Sequence, residues 1–173
     1  MRLLKELEVD VNGVKECLHR LFNGSEIITS VTNEVKYLAV CKSNKIIFDL
    51  RLTNNVAEIY INLALGEFTD DLLKMLSIMD LKVVSEGIRE LIRTFGTTPK
   101  SITISRVLPS NSIYILLEPN NELPPAKGVC GINGVSVITP RCTTYGYDVK
   151  CGEGADLKLT KIVLNILRDL CNP

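Results

Sequence analysis

The chain has 173 residues, 46% hydrophobic and 23% charged, with 20 basic against 20 acidic side chains and a formal net charge of +0. This mixture excludes a disordered chain and describes a single domain over 1–173, large enough to hold a core without metal or disulfide help. The balanced charge, with no long run of one sign, argues against a nucleic-acid surface, which needs a cationic excess.

Met1 to Glu8 place charges where a secretory signal needs an apolar run, and no stretch approaches the ~20 apolar residues of a membrane span. A cytoplasmic protein with no membrane partner is therefore expected, its six cysteines reduced. The lack of Gln and Trp leans toward a thermophilic source, where intracellular disulfides are common, while the many Asn residues lean away.

Leu7, Val9 and Val11 alternate with polar residues and predict a short strand. Val14, Cys17, Leu18, Leu21 and Phe22 then recur on one helix face, with Asn12 as an N-cap and Gly24 as a stop. Strand-like runs follow at 26–31, 35–42, 45–52 and 56–65, separated by turn residues such as Ser43-Asn44 and Thr53-Asn54-Asn55. Such short connections make an antiparallel meander.

One face of the meander carries Ile46, Phe48, Leu50 and Leu52, then Ile59, Ile61, Leu63 and Leu65. On the other, Leu38, Val40, Ile47 and Tyr60 are mixed among Lys36, Asp49, Arg51, Glu58 and Asn62. Apolar residues there need a cover, so Leu38, Val40, Ile47 and Tyr60 are the candidate interface, shielded by the second half of the chain or by a partner.

Thr69 is the expected cap of a helix carrying Leu72, Leu73, Met75, Leu76 and Met79. A second helix carries Val84, Ile88, Leu91, Ile92 and Phe95 and stops at Gly96, with Pro99 beyond. Two more strands, 101–108 and 112–118, flank Pro109-Ser110-Asn111, and runs 128–139 and 142–151 predict a hairpin at Pro140-Arg141. Residues 156–171 form a last helix capped by Asp156. The expected fold is α+β and mainly antiparallel, in the order β-α-β4-α-α-β4-α, with helices packed on the sheet. Its first half is similar in element order to helix-grip folds, and the chain could divide into sub-halves 1–96 and 97–173.

Cys130, Cys142 and Cys151 are the nearest thing to a chemical signature. They lack the Cys-x2-Cys knuckle of a zinc site, and the single histidine, His19, lies far away in sequence. If 128–139 pairs with 142–151 across Pro140, Cys130 lies opposite Cys151 within disulfide reach. Cys151 precedes a helix, but Glu153 and Asp156 oppose a thiolate there and no base is near. The glycines of 128–134 and 152–154 fit neither phosphate-loop pattern.

No catalytic residue, metal or cofactor is therefore assigned. The expected function is a non-catalytic binding or protein-interaction domain, acting as a regulatory subunit or a homodimer. The alternative is a small enzyme or small-molecule carrier, with a pocket between sheet and helix lined by the three cysteines, Tyr145 and Tyr147.

Overall fold

The structure, a computed structural model, describes residues 11–145, 148–152 and 154–172. Four α-helices and ten strands lie among them. Helix α1 (Val11–Leu21) precedes strands β1 (Glu26–Val31), β2 (Val35–Lys42), β3 (Lys45–Thr53) and β4 (Val56–Asn62). A short turn at Gly66–Phe68 leads into α2 (Thr69–Ile78) and α3 (Lys82–Phe95). Six strands follow: β5 (Ser101–Val107), β6 (Ser112–Glu118), β7 (Ala126–Gly131), β8 (Gly134–Thr139), β9 (Cys142–Tyr145) and β10 (Asp148–Cys151). Helix α4 (Ala155–Cys171) closes the described chain. All ten strands form one open antiparallel sheet in sequence order. The fold is α+β, as the sequence predicts, with helix and meander in the expected order through the first half.

Because side chains alternate along a strand, ladder register decides which of them share a face. One row runs Leu38, Leu50, Ile59, Ile104, Ile115, Gly128 and Val137 across β2 to β8. A second runs Val40, Phe48, Ile61, Ile102, Leu117 and Ala126. These side chains are buried in one core cluster beneath Leu18 of α1 and Phe22 just after it, Met75 and Leu76 of α2, Ile88 of α3 and Val163 and Leu167 of α4. Each fully buried leucine, isoleucine or phenylalanine contributes roughly 1.5–3 kcal/mol against the entropy of ordering the chain.

The sheet departs from the simple alternation at one place. Ser43 and Asn44, both at positive φ (53° and 61°), make the two-residue turn that their sequence predicts and set Lys42 opposite Lys45. Carried onward, that register would put Leu38 on the face of Asp49. A β-bulge at Val40/Cys41 shifts it by one residue, so Val40 pairs with Phe48 and Leu38 with Leu50. Ile47 and Phe48 are both buried as a result, while Ile46 stays exposed. Leu38, Val40 and Ile47 are therefore shielded, as expected, but as part of the chain's own core and not at a partner interface; of the four, Tyr60 alone lies on the other face.

The second half has six strands where four are expected. The turn at Ile132-Asn133, with Gly134 at φ +104°, folds β8 back on β7 and pairs Gly131 with Gly134. The Pro140-Arg141 turn is present, with Thr139 opposite Cys142, but the pairing ends well before Cys130. Instead Cys130 faces Val135 across the ladder and bonds to Cys171 at the end of α4, with a Cα–Cα separation of 6.3 Å. Cys142 pairs with Cys151 in the β9–β10 ladder and bonds to it, at 4.1 Å between Cα atoms. The expected Cys130–Cys151 bond is thus replaced by Cys130–Cys171 and Cys142–Cys151. Disulfides persist in oxidising compartments, so these two bonds overturn the cytoplasmic expectation and point to an oxidising, non-cytoplasmic setting.

Three cap assignments also change. Helix α1 begins at Val11, which places Asn12 inside its first turn; the rest of the expected strand at 7–11 falls outside the described residues. Thr69 is the first residue of α2, and the cap position falls to Phe68, which makes no side-chain capping bond. Asp156 lies within the first turn of α4, where its buried carboxylate accepts the Arg141 N–H at 2.9 Å. It fastens the helix to the β8–β9 turn. Leu167 lies over Gly128, where an added Cβ would come within 2.5 Å of its Cδ1 and 3.3 Å of the Ser136 carbonyl oxygen.

Gly128→Ala should therefore destabilise the protein by about 1–3 kcal/mol through overpacking. Urea unfolding checks this, and an unchanged midpoint would contradict the close seating of α4. Loss of the Cys130–Cys171 bond in Cys171→Ser should cost about 4 kcal/mol, and of Cys142–Cys151 in Cys142→Ser about 3 kcal/mol, from the chain separations of 41 and 9 residues. Digestion without reductant should yield those two linked peptides, with Cys17 and Cys41 alkylated as free thiols. A Cys130–Cys151 peptide would contradict the structure.

Candidate functional site

The helices use one face of the sheet, and no described helix packs on the other. That open face follows from the same register. Asp49 of β3, Tyr60 of β4, Thr103 of β5, Leu116 of β6, Lys127 of β7 and Ile138 of β8 stand side by side in one row. The adjoining row brings together Tyr37, Arg51, Glu58, Ser105 and Tyr114. Strand β6 shows the contrast most clearly: Ile113, Ile115 and Leu117 are buried, while Tyr114 is 48% and Leu116 38% exposed. Ile28 and Ile138 are bare on the same face, at 43% and 56%.

At one end of this face is a polar cluster. The Tyr37 hydroxyl donates to Asp49 Oδ2 at 3.2 Å, and the Arg51 guanidinium lies 5.8 Å from the centre of the Tyr37 ring. Ser105 donates to Glu58 Oε2 at 3.4 Å. Burial raises the Asp49 pKa above its ordinary value; the Tyr37 hydrogen bond and Arg51 oppose that shift, and Glu58 adds to it. Burial also raises Tyr37, reinforced by the Asp49 charge, and raises Tyr60, reinforced by Glu118. Cys41 is raised by burial first and then by Glu26 and Asp49. Groups shifted together on one surface mark it as a functional candidate.

The cysteine corner has a different character. Cys130, Cys142 and Cys151 are all disulfide-bonded, and Cys130 and Cys142 are buried, so none offers a thiol. The side chain of Tyr145 and the whole of Tyr147 lie outside the described residues. His19 is exposed on α1. On the helix layer, Gly87, Glu86 and Glu90 of α3 face Asn165, Ile166 and Asp169 of α4 across a cleft of about 130 Å³. Among the described residues no three His, Cys, Asp or Glu side chains converge as metal ligands, and no helix is long and apolar enough to cross a membrane.

The sequence groups Asp49, Arg51, Glu58, Tyr60 and Asn62 on one face, and the structure keeps them there. It does not reveal that Tyr37, Tyr114, Leu116 and Ile138 join them. In β6 the inward set Ile113, Ile115 and Leu117 is uniformly apolar and the outward set Ser112, Tyr114, Leu116 and Glu118 is mixed, so periodicity gives the parity of that strand but not its neighbours across the ladder. Comparison with protein-family models, with curated proteins and with solved structures finds no match.

Asp49 gives a pH test of this surface. A carboxyl whose folded pKa is raised contributes stability that is fully present below its ordinary value of 3.8 and is lost as pH rises through the folded value. Asp49→Asn removes that loss, so its advantage in Tm over the parent should be small in acid and grow toward pH 7. A variant less stable than the parent at neutral pH would show that Tyr37 and Arg51 more than offset the burial.

Proposed function

We propose that the protein is a non-catalytic protein-interaction module whose recognition surface is the open face of the sheet. The observation that carries this is the exposed pair Tyr114 and Leu116 of β6, flanked by Tyr60 and Ile138 and by the charged Lys127 and Asp49, with the Tyr37–Asp49–Arg51 cluster beyond, on the face no described helix covers. Tyrosine and arginine are the side chains that most often dominate binding energy at docking surfaces. The cleft between α3 and α4, at about 130 Å³, is smaller than the ~300 Å³ at which small-molecule sites begin, which weighs against a carrier function there. With Cys130, Cys142 and Cys151 in disulfides, a thiol-dependent activity at that corner has no nucleophile.

A photo-crosslinking residue at Tyr114, in the protein mixed with extracellular and envelope fractions of its source, should give discrete protein adducts. The same residue at Ile78, exposed on α2, should not. Equal labelling from both positions, or none from Tyr114, would overturn this assignment.

A further inference from the structure

Resting on the open face as the recognition surface, we infer that its partner is a second copy of this chain, docked face to face about a two-fold axis parallel to β5. The basis is the order of side chains in the central row: Asp49, Tyr60, Thr103, Leu116, Lys127 on β3, β4, β5, β6 and β7. A two-fold axis along β5 keeps every row facing itself and exchanges β3 with β7 and β4 with β6. Thr103 then meets its own copy. Tyr60 lies across from Leu116, aromatic ring against aliphatic side chain. Asp49 lies across from Lys127, and symmetry makes that ion pair twice.

One step further out, the same axis exchanges β2 with β8 and brings Ile138, which projects at 56% exposure next to Lys127, over the β2 end of the row. In the neighbouring row Glu58 falls opposite Tyr114, a carboxylate facing a phenol that can donate to it; Arg51 falls opposite Val129 and adds only its alkyl stem.

The size is adequate. Sheets pack face to face about 10 Å apart with strands nearly aligned. The seven strands β2–β8, at a spacing of about 4.8 Å and a length of about 20 Å, offer roughly 700 Å² of face, against the ~800 Å² per partner of a standard interface. A chain with a net charge of +0 adds little overall repulsion to such a pairing.

The test is sedimentation velocity on the purified full chain, from low micromolar to submillimolar concentration, with disulfides intact. The parent should dimerise. Asp49→Lys and Lys127→Asp should each raise the dimer dissociation constant at least about tenfold, because each places two like-charge pairs in the interface, and the double variant should recover to within about threefold of the parent. Circular dichroism checks folding; should Asp49→Lys fail to fold, Lys127→Asp and Ile138→Arg, both at exposed positions, must each weaken the dimer. A monomeric parent, or a dimer indifferent to these changes, overturns the inference. The crosslinker at Tyr114 separates the two levels: adducts to other proteins without self-adducts overturn only the second copy, whereas no adduct of either kind overturns the open face as a binding surface.

Discussion

Burial of one sheet face, and only one, is the constraint from which the rest of this structure follows. Every strand pairs with its sequence neighbours, so once the rows of Leu38, Leu50, Ile59, Ile104 and Ile115 turn inward, the residues between them must face outward. Four helices supply the inner cover. The outer rows, with Tyr60, Leu116, Tyr114 and the Tyr37–Asp49 pair, are set by that same choice. The candidate site thus owes its form to the core it lies behind, and a one-residue slip in register would exchange the two.

Helix α4 locks the second half of this arrangement. The Cys130–Cys171 bond ties its end to β7, the Asp156 carboxylate ties its start to the β8–β9 turn, and Leu167 occupies the space that Gly128 leaves open. The β9–β10 edge beyond is closed by Cys142–Cys151. These fastenings lie on the core side or at the edge, so the open face is held in shape without any of its own exposed residues being used for the purpose.

Local signals made much of this legible in sequence. The positive-φ pair Ser43-Asn44, the apolar stripe of Val84, Ile88 and Leu91, and the stop at Gly96 (φ 71°) each depend on a few neighbouring residues, and each appears where its pattern places it. The bulge beside Ile47 shows only in the β2–β3 ladder, and no short sequence pattern announces it. Its effect was large, because it moved Leu38 and Val40 from an expected interface into the core. Asn133-Gly134 is a turn signal inside the stretch 128–139 that otherwise reads as one strand; that turn pairs β8 with β7 and leaves Cys130 to bond with Cys171. The open face was half legible: Asp49, Arg51, Glu58 and Tyr60 share a strand parity, but Leu116 and Ile138 join them only through long-range ladders.

The claim that most needs testing is that the open face, and not the helix layer, is where two copies of this chain dock. Hydroxyl-radical footprinting of the purified chain, repeated as protein concentration rises, measures this residue by residue. The account predicts progressive protection of Tyr60, Tyr114, Leu116 and Ile138, with Ile78 on α2 and Ile132 at the β7–β8 turn labelled equally throughout. Protection confined to Ile78 and its helix neighbours, or uniform labelling at every concentration, would contradict it.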